Sequence, residues 1–120
     1  MRKLLAATFL VGLAATTVAS ATQSPRAELV ASCQKEALSG HAMALRMEPS
    51  LRNTIESHRK KMSAVCAIFA SGNANTTGAL SQCLHEASAG LLHTQRGRNM
   101  DRAHASRQRE LCQALGQSKP

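Results

Sequence analysis

The sequence predicts an all-α protein, a disulfide-stabilised four-helix bundle made of two similar helical hairpins, and three observations predict it. Apolar residues recur at three- and four-residue steps, with none of the alternation or β-branched enrichment that strands need. Two strings of residues occur twice at nearly the same offset. Four cysteines, Cys33, Cys66, Cys83 and Cys112, are spaced so that they meet in pairs across antiparallel helices.

The chain opens like an export signal. Arg2 and Lys3 precede an apolar run over residues 4–15, followed by small residues ending Ala19-Ser20-Ala21, so cleavage is expected after Ala21. That run is shorter than the roughly 20 residues needed to span a hydrocarbon core. A soluble protein in the periplasm or outside the cell is expected, built as one helical domain over residues 22–120. Its composition is 99 residues without Trp or Tyr, with Phe69 as the aromatic left once Phe9 departs. A core so short of large side chains gains from covalent closure, and an even cysteine count in an exported chain reads as a disulfide framework.

Turn-forming residues divide the mature chain around residues 40–50, 71–78 and 96–99. Ser24-Pro25 supplies an N-cap and a proline at the first helical position, starting a helix expected to reach about Gly40 or Leu45. In the second segment Leu51, Ile55, His58, Met62, Val65 and Phe69 draw one helical stripe, and in the third Leu80, Leu84, Ala87 and Leu91 do so. The fourth stripe, Met100, Ala103, His104, Leu111 and Leu115, is interrupted by Arg107.

These segments form two copies of one pattern, over residues 25–70 and 77–117. Cys33-x-x-Glu36-Ala37-x-x-Gly40 recurs as Cys83-x-x-Glu86-Ala87-x-x-Gly90, and Arg52-Asn53, His58 and Cys66 recur as Arg98-Asn99, His104 and Cys112. The shift between the two offsets falls in a turn, where insertions are tolerated. In an antiparallel hairpin, residues at one level lie symmetrically about the turn. Cys33 and Cys66 are symmetrical about Pro49-Ser50, and Cys83 and Cys112 about Gly97-Arg98, which favours these two pairs. Cys66 and Cys83 are also symmetrical, about Asn73-Ala74-Asn75, so the pairing of Cys66 with Cys83 and Cys33 with Cys112 stays open. Loop-closure entropy values each bond at roughly 3–4 kcal/mol.

Candidate chemistry falls into three groups. Four thiols at one level can bind zinc, but zinc sites draw on close Cys-x2-Cys pairs, which the chain lacks; the same lack argues against a thiol oxidoreductase. The level symmetry also pairs His41 with His58 and His93 with His104, two turns from the cysteines. With thioether from Met43, Met47, Met62 or Met100, such a layer suits copper, nickel or zinc in a metal-handling protein. The plainer reading makes His58 and His104 partly buried polar residues bonded to a neighbour, with no cofactor.

Charge supplies the third group. Without Arg2 and Lys3, 13 basic residues stand against 7 acidic ones, a net +6. They cluster as Arg59-Lys60-Lys61 and as Arg96, Arg98, Arg102, Arg107 and Arg109, of which Arg98, Arg102 and Arg109 share a helix face. Such a face suits anionic lipid, lipopolysaccharide or an acidic protein. Nucleic acid fits poorly without aromatic residues for base stacking. The chain carries no G-x-S-x-G, no H-E-x-x-H and no glycine-rich phosphate loop, so a non-catalytic module with a basic helical face is expected, with metal handling as the alternative.

Overall fold

A computed structural model describes residues 24–71 and 76–119; the signal-peptide reading of residues 1–21 lies outside the described residues. Among the described residues four helices pack together: α1 (Pro25–Met47), α2 (Arg52–Ile68), α3 (Thr76–Ala87) and α4 (Gln95–Gln117), with a short 3-10 turn at Pro49–Leu51. Each helix packs on two neighbours, α1 on α2 and α4, and α3 on α4 and α2. The result is a disulfide-stabilised four-helix bundle. Among the described residues no helix is long and apolar enough to cross a membrane.

Local chemistry explains the helix ends. Ser24 Oγ accepts from the Ala27 amide at 3.1 Å, and Pro25 occupies the first turn, where its missing N–H is not needed. α1 runs on through Gly40, past the expected stop near Gly40 or Leu45, because strong helix formers flank that glycine; it ends at Met47, just before Pro49. At the opposite end of the bundle, buried Arg26 donates through Nε to Ser118 Oγ at 2.8 Å and through its terminal nitrogen to the Ser118 carbonyl. This ties the first turn of α1 to the end of α4 and sets a cation at a helix C-terminus, where the dipole favours it.

Both disulfides close within a hairpin. Cys33–Cys66 joins α1 to α2 and Cys83–Cys112 joins α3 to α4, with Cα separations of 5.8 and 5.7 Å. Of the two pairings open at the level of residue order, the within-hairpin one is formed. All four cysteines are fully buried, in a core shared with Val30, Ala37, Met62, Phe69, Ala79, Ala87 and Leu115. Buried disulfides of this kind point to an oxidising, extracytoplasmic compartment. Complete burial of Phe69, Ile55, Met62 or Leu115 is worth roughly 1.5–3 kcal/mol each, so each bond rivals any one core side chain.

The α3–α4 connection departs from the expected turn at residues 96–99. Thr94 caps α4, its Oγ1 accepting from the Gly97 amide at 3.0 Å, so residues 96–99 are already helical and the connection lies at 88–94. Cys83 sits four residues, about 6 Å, below the end of α3, while Cys112 sits 17 residues, about 25 Å, into α4. The linker therefore climbs the difference of roughly 20 Å, which a largely extended seven-residue segment spans. It replaces the upper turns that α3 lacks: α3 has 12 residues where α1 has 23. Leu92 plugs a second, smaller core with Met43, Ala44 and Ile55. Leu91, assigned by periodicity to the third helix, is thus a linker residue flanking that core.

Candidate functional site

Helical spacing carries the site residues up from the disulfides. Glu36 and Glu86 follow Cys33 and Cys83 by three residues, and His58 and His104 precede Cys66 and Cys112 by eight, two turns along the same faces. The two hairpins then exchange partners. His104 Nδ1 on α4 lies 2.7 Å from Glu36 Oε2 on α1, and His58 Nδ1 on α2 lies 2.5 Å from Glu86 Oε2 on α3. A carboxylate only accepts, so each imidazole carries its proton on Nδ1 and turns Nε2 away. Glu36 pairs with the histidine of the second copy and Glu86 with that of the first, so the two bonds are related as the copies are.

The pairs differ in what covers them. Around His104, α1 continues past Gly40 and the imidazole lies against its backbone: a Cβ on Gly40 would meet ring atoms at 2.3–2.6 Å. Arg107 closes the pair from outside, its Nε 3.2 and 3.3 Å from the Glu36 oxygens. The side chains are 7 and 16 % exposed for His104 and Glu36, and 14 and 17 % for His58 and Glu86. Around His58 the corresponding Gly90 lies beyond the end of α3, with nothing within 4 Å of a Cβ built on it. An open cleft of about 510 Å³ follows there, walled by Asn53, Thr54, Ser57, His58 and Lys61 of α2, His85 and Glu86 of α3, and Ala89 and Leu91 of the linker. The His104 cleft measures about 280 Å³ and is lined by Ser39, Gly40, Met43, Arg46, Met100, Ala103, His104 and Arg107.

Arg98, Arg102 and Arg109 converge on a third depression, of about 290 Å³, on the other side of the linker beside Ser88, Ala89, Gly90 and Leu92. Arg98 donates to the His93 carbonyl and to Gln95 Oε1, and Arg102 to Asn99 Oδ1, which orients both along α4. Asp101 also lines this groove; its Oδ2 accepts from the Leu91 amide at 2.9 Å and the Leu92 amide at 3.5 Å, so it serves the linker. Arg59 is half-buried and Lys60 exposed on α2, away from this groove, and Lys61 lines the His58 cleft, so the two basic clusters do not share one depression.

The four histidines have different surroundings. His58 and His104 each hold a carboxylate, His93 is exposed, and His41 is half-buried, with its buried Nε2 unpartnered among the described residues. No group of three His, Cys, Asp or Glu side chains placed to hold a metal occurs among the described residues. Met43 and Met100 do line the cleft of His104, whereas Met62 is fully buried in the main core.

Residue order hid several of these partners. Glu36 and Glu86 stood out in the repeated strings, but nothing in the strings said that they would reach the other hairpin. Glu48 left no signal: its Oε2 accepts from the His93 amide at 2.7 Å and the Thr94 amide at 3.2 Å, placing an anion at the start of α4. Compared with models of known families, with curated proteins and with solved structures, the chain matches none.

Proposed function

We propose that this protein is a small non-catalytic binding module of the periplasm or the extracellular space, presenting the arginine face of α4 to an anionic lipid or lipopolysaccharide surface. The observation that carries this reading is the convergence of Arg98, Arg102 and Arg109 on one groove facing a single carboxylate already engaged by backbone amides. Guanidinium groups held along a helix suit phosphate oxygens, which they bind in pairs. The net charge, +6 once Arg2 and Lys3 are removed, adds long-range attraction to any anionic surface.

Co-sedimentation with phosphatidylglycerol vesicles tests it. Binding at low ionic strength should fall by at least tenfold at about 0.5 M salt, where screening is nearly complete at contact distances. The same loss is expected at low salt for the triple change Arg98→Glu, Arg102→Glu, Arg109→Glu. Vesicle binding that survives the triple change overturns the reading, and absence of vesicle binding with tight capture of an acidic protein replaces the surface by a protein partner.

A second reading, transition-metal handling, draws on Met43 and Met100 lining the same cleft as His104. Thioether and imidazole together favour copper(I). Copper(I) bound by the protein and released on changing Met43 and Met100 to Leu would support it; equal affinity in that variant would dismiss it.

A further inference from the structure

We propose that the open cleft over His58 and Glu86 is a binding site for a phosphate-type oxyanion, held by Lys61 and the hydroxyls of Thr54 and Ser57 beside His58. This site lies across the linker from the arginine groove and does not depend on it. The case comes from setting the two equivalent clefts side by side. In the His104 cleft the carboxylate of Glu36 has two partners, the imidazole and Arg107. In the His58 cleft the residue equivalent to Arg107 is Lys61, and among the described residues Lys61 makes no ion pair with Glu86, whose one partner is His58. The cation that completes the first site internally therefore faces the cleft in the second.

Geometry supplies the rest of the donor set. Thr54, Ser57, His58 and Lys61 stand at positions i, i+3, i+4 and i+7 of α2, so their side chains line one face toward the cleft. His85 enters from α3. Two hydroxyls and an ammonium line the cleft beside two imidazoles; its one carboxylate is bonded to His58 Nδ1, so Lys61 is the charged lining group without an ion pair among the described residues. The first turn of α2 forms one end of the cleft, and helix dipoles favour negative charge there. A volume of about 510 Å³ admits a phosphomonoester as well as inorganic phosphate. A bare cation is disfavoured by Lys61.

The test is titration of the oxidised, isotope-labelled protein with inorganic phosphate, followed through the imidazole signals of His58 and His85. Phosphatidylglycerol vesicles form a separate arm. A Lys61-dependent response to either supports the site and identifies the source of the phosphate. Lys61→Gln changes an exposed side chain with no ion pair among the described residues and should leave the fold intact while weakening phosphate binding at least tenfold. Ser57→Ala, also exposed, should weaken it about threefold. Arg102→Gln, in the neighbouring groove, should leave the phosphate response unchanged. The proposal is overturned if neither arm perturbs His58, if Lys61→Gln binds as the wild type does, if Arg102→Gln abolishes the response, or if copper or zinc alone shifts His58 and His85 where phosphate does not.

Discussion

Gly40 and Gly90 occupy the same place in the two copies of the repeat, yet the structure assigns opposite consequences to adding a methyl group at each. At Gly40 a Cβ would stand 2.3 Å from Cε1 and 2.4 Å from Nε2 of His104. Ordinary carbon contacts lie near 3.5–4 Å, so the ring must retreat by more than about 1 Å. It cannot do so and keep its 2.7 Å bond to Glu36. Losing a hydrogen bond to a charged, largely buried partner costs roughly 1.5–3 kcal/mol. Replacing a mid-helix glycine by alanine returns about 1 kcal/mol of helix propensity. The net expectation for Gly40→Ala is a destabilisation of about 0.5–2 kcal/mol, or a fall in Tm on the order of 2–15 °C for a domain of this size. At Gly90 nothing lies within 4 Å and no described glycine has a positive φ, so Gly90→Ala should be neutral or stabilise by up to about 1 kcal/mol through the unfolded chain. Urea unfolding of both variants, oxidised and monitored by far-UV circular dichroism, decides the matter. A Gly40→Ala variant as stable as the wild type, or a Gly90→Ala variant equally damaged, would refute the packing of His104 against α1.

Four further outcomes follow from the same structure. Peptide mapping under non-reducing conditions should recover Cys33 with Cys66 and Cys83 with Cys112, and replacing either pair by serine should cost about 3.6 kcal/mol for loops with separations of 33 and 29 residues, read from denaturant midpoints. A double-mutant cycle on Glu36 and His104 should give a coupling of about 1.5–3 kcal/mol, against less than about 0.5 kcal/mol for Arg52 and Glu56, whose side chains are 61 and 41 % exposed at 3.8 Å. Glu48→Ala leaves the His93 and Thr94 amides without their acceptor and should cost about 1 kcal/mol in thermal unfolding. Gln108 is fully buried with its Oε1 unpartnered among the described residues, and Met62 holds the equivalent place in the first hairpin. Gln108→Met should therefore be neutral or stabilise by up to about 1 kcal/mol, provided the loss of its 3.1 Å bond to the Cys33 carbonyl is tolerated.

Helical periodicity, the duplicated strings and the cysteine levels predicted a bundle of two similar hairpins and favoured the within-hairpin disulfides, because each is a local property. A helix repeats every 3.6 residues wherever it sits, and two helices joined in antiparallel meet at levels set by their connection. The pairing of Cys83 with Cys112 was legible although the turn was misplaced, since the climbing linker and the short α3 leave the two cysteines at one level. His58 and His104 were legible as half-buried polar residues on apolar stripes. Their partners were not, because Glu36 reaches His104 and Glu86 reaches His58 only once one hairpin is laid against the other, and no spacing within a hairpin encodes that contact. The early end of α3 belongs to the same class: Ala89, Leu91 and Leu92 are good helix formers beyond Ala87, but Asp101 and Glu48 bind the linker amides from other elements and hold it extended. Residue order thus determined the helical class and the level at which the cysteines meet. Docking of the hairpins decided which His–Glu pair is sealed and which lies open beside Lys61, because burial and electrostatic partnership are properties of neighbours distant in the chain.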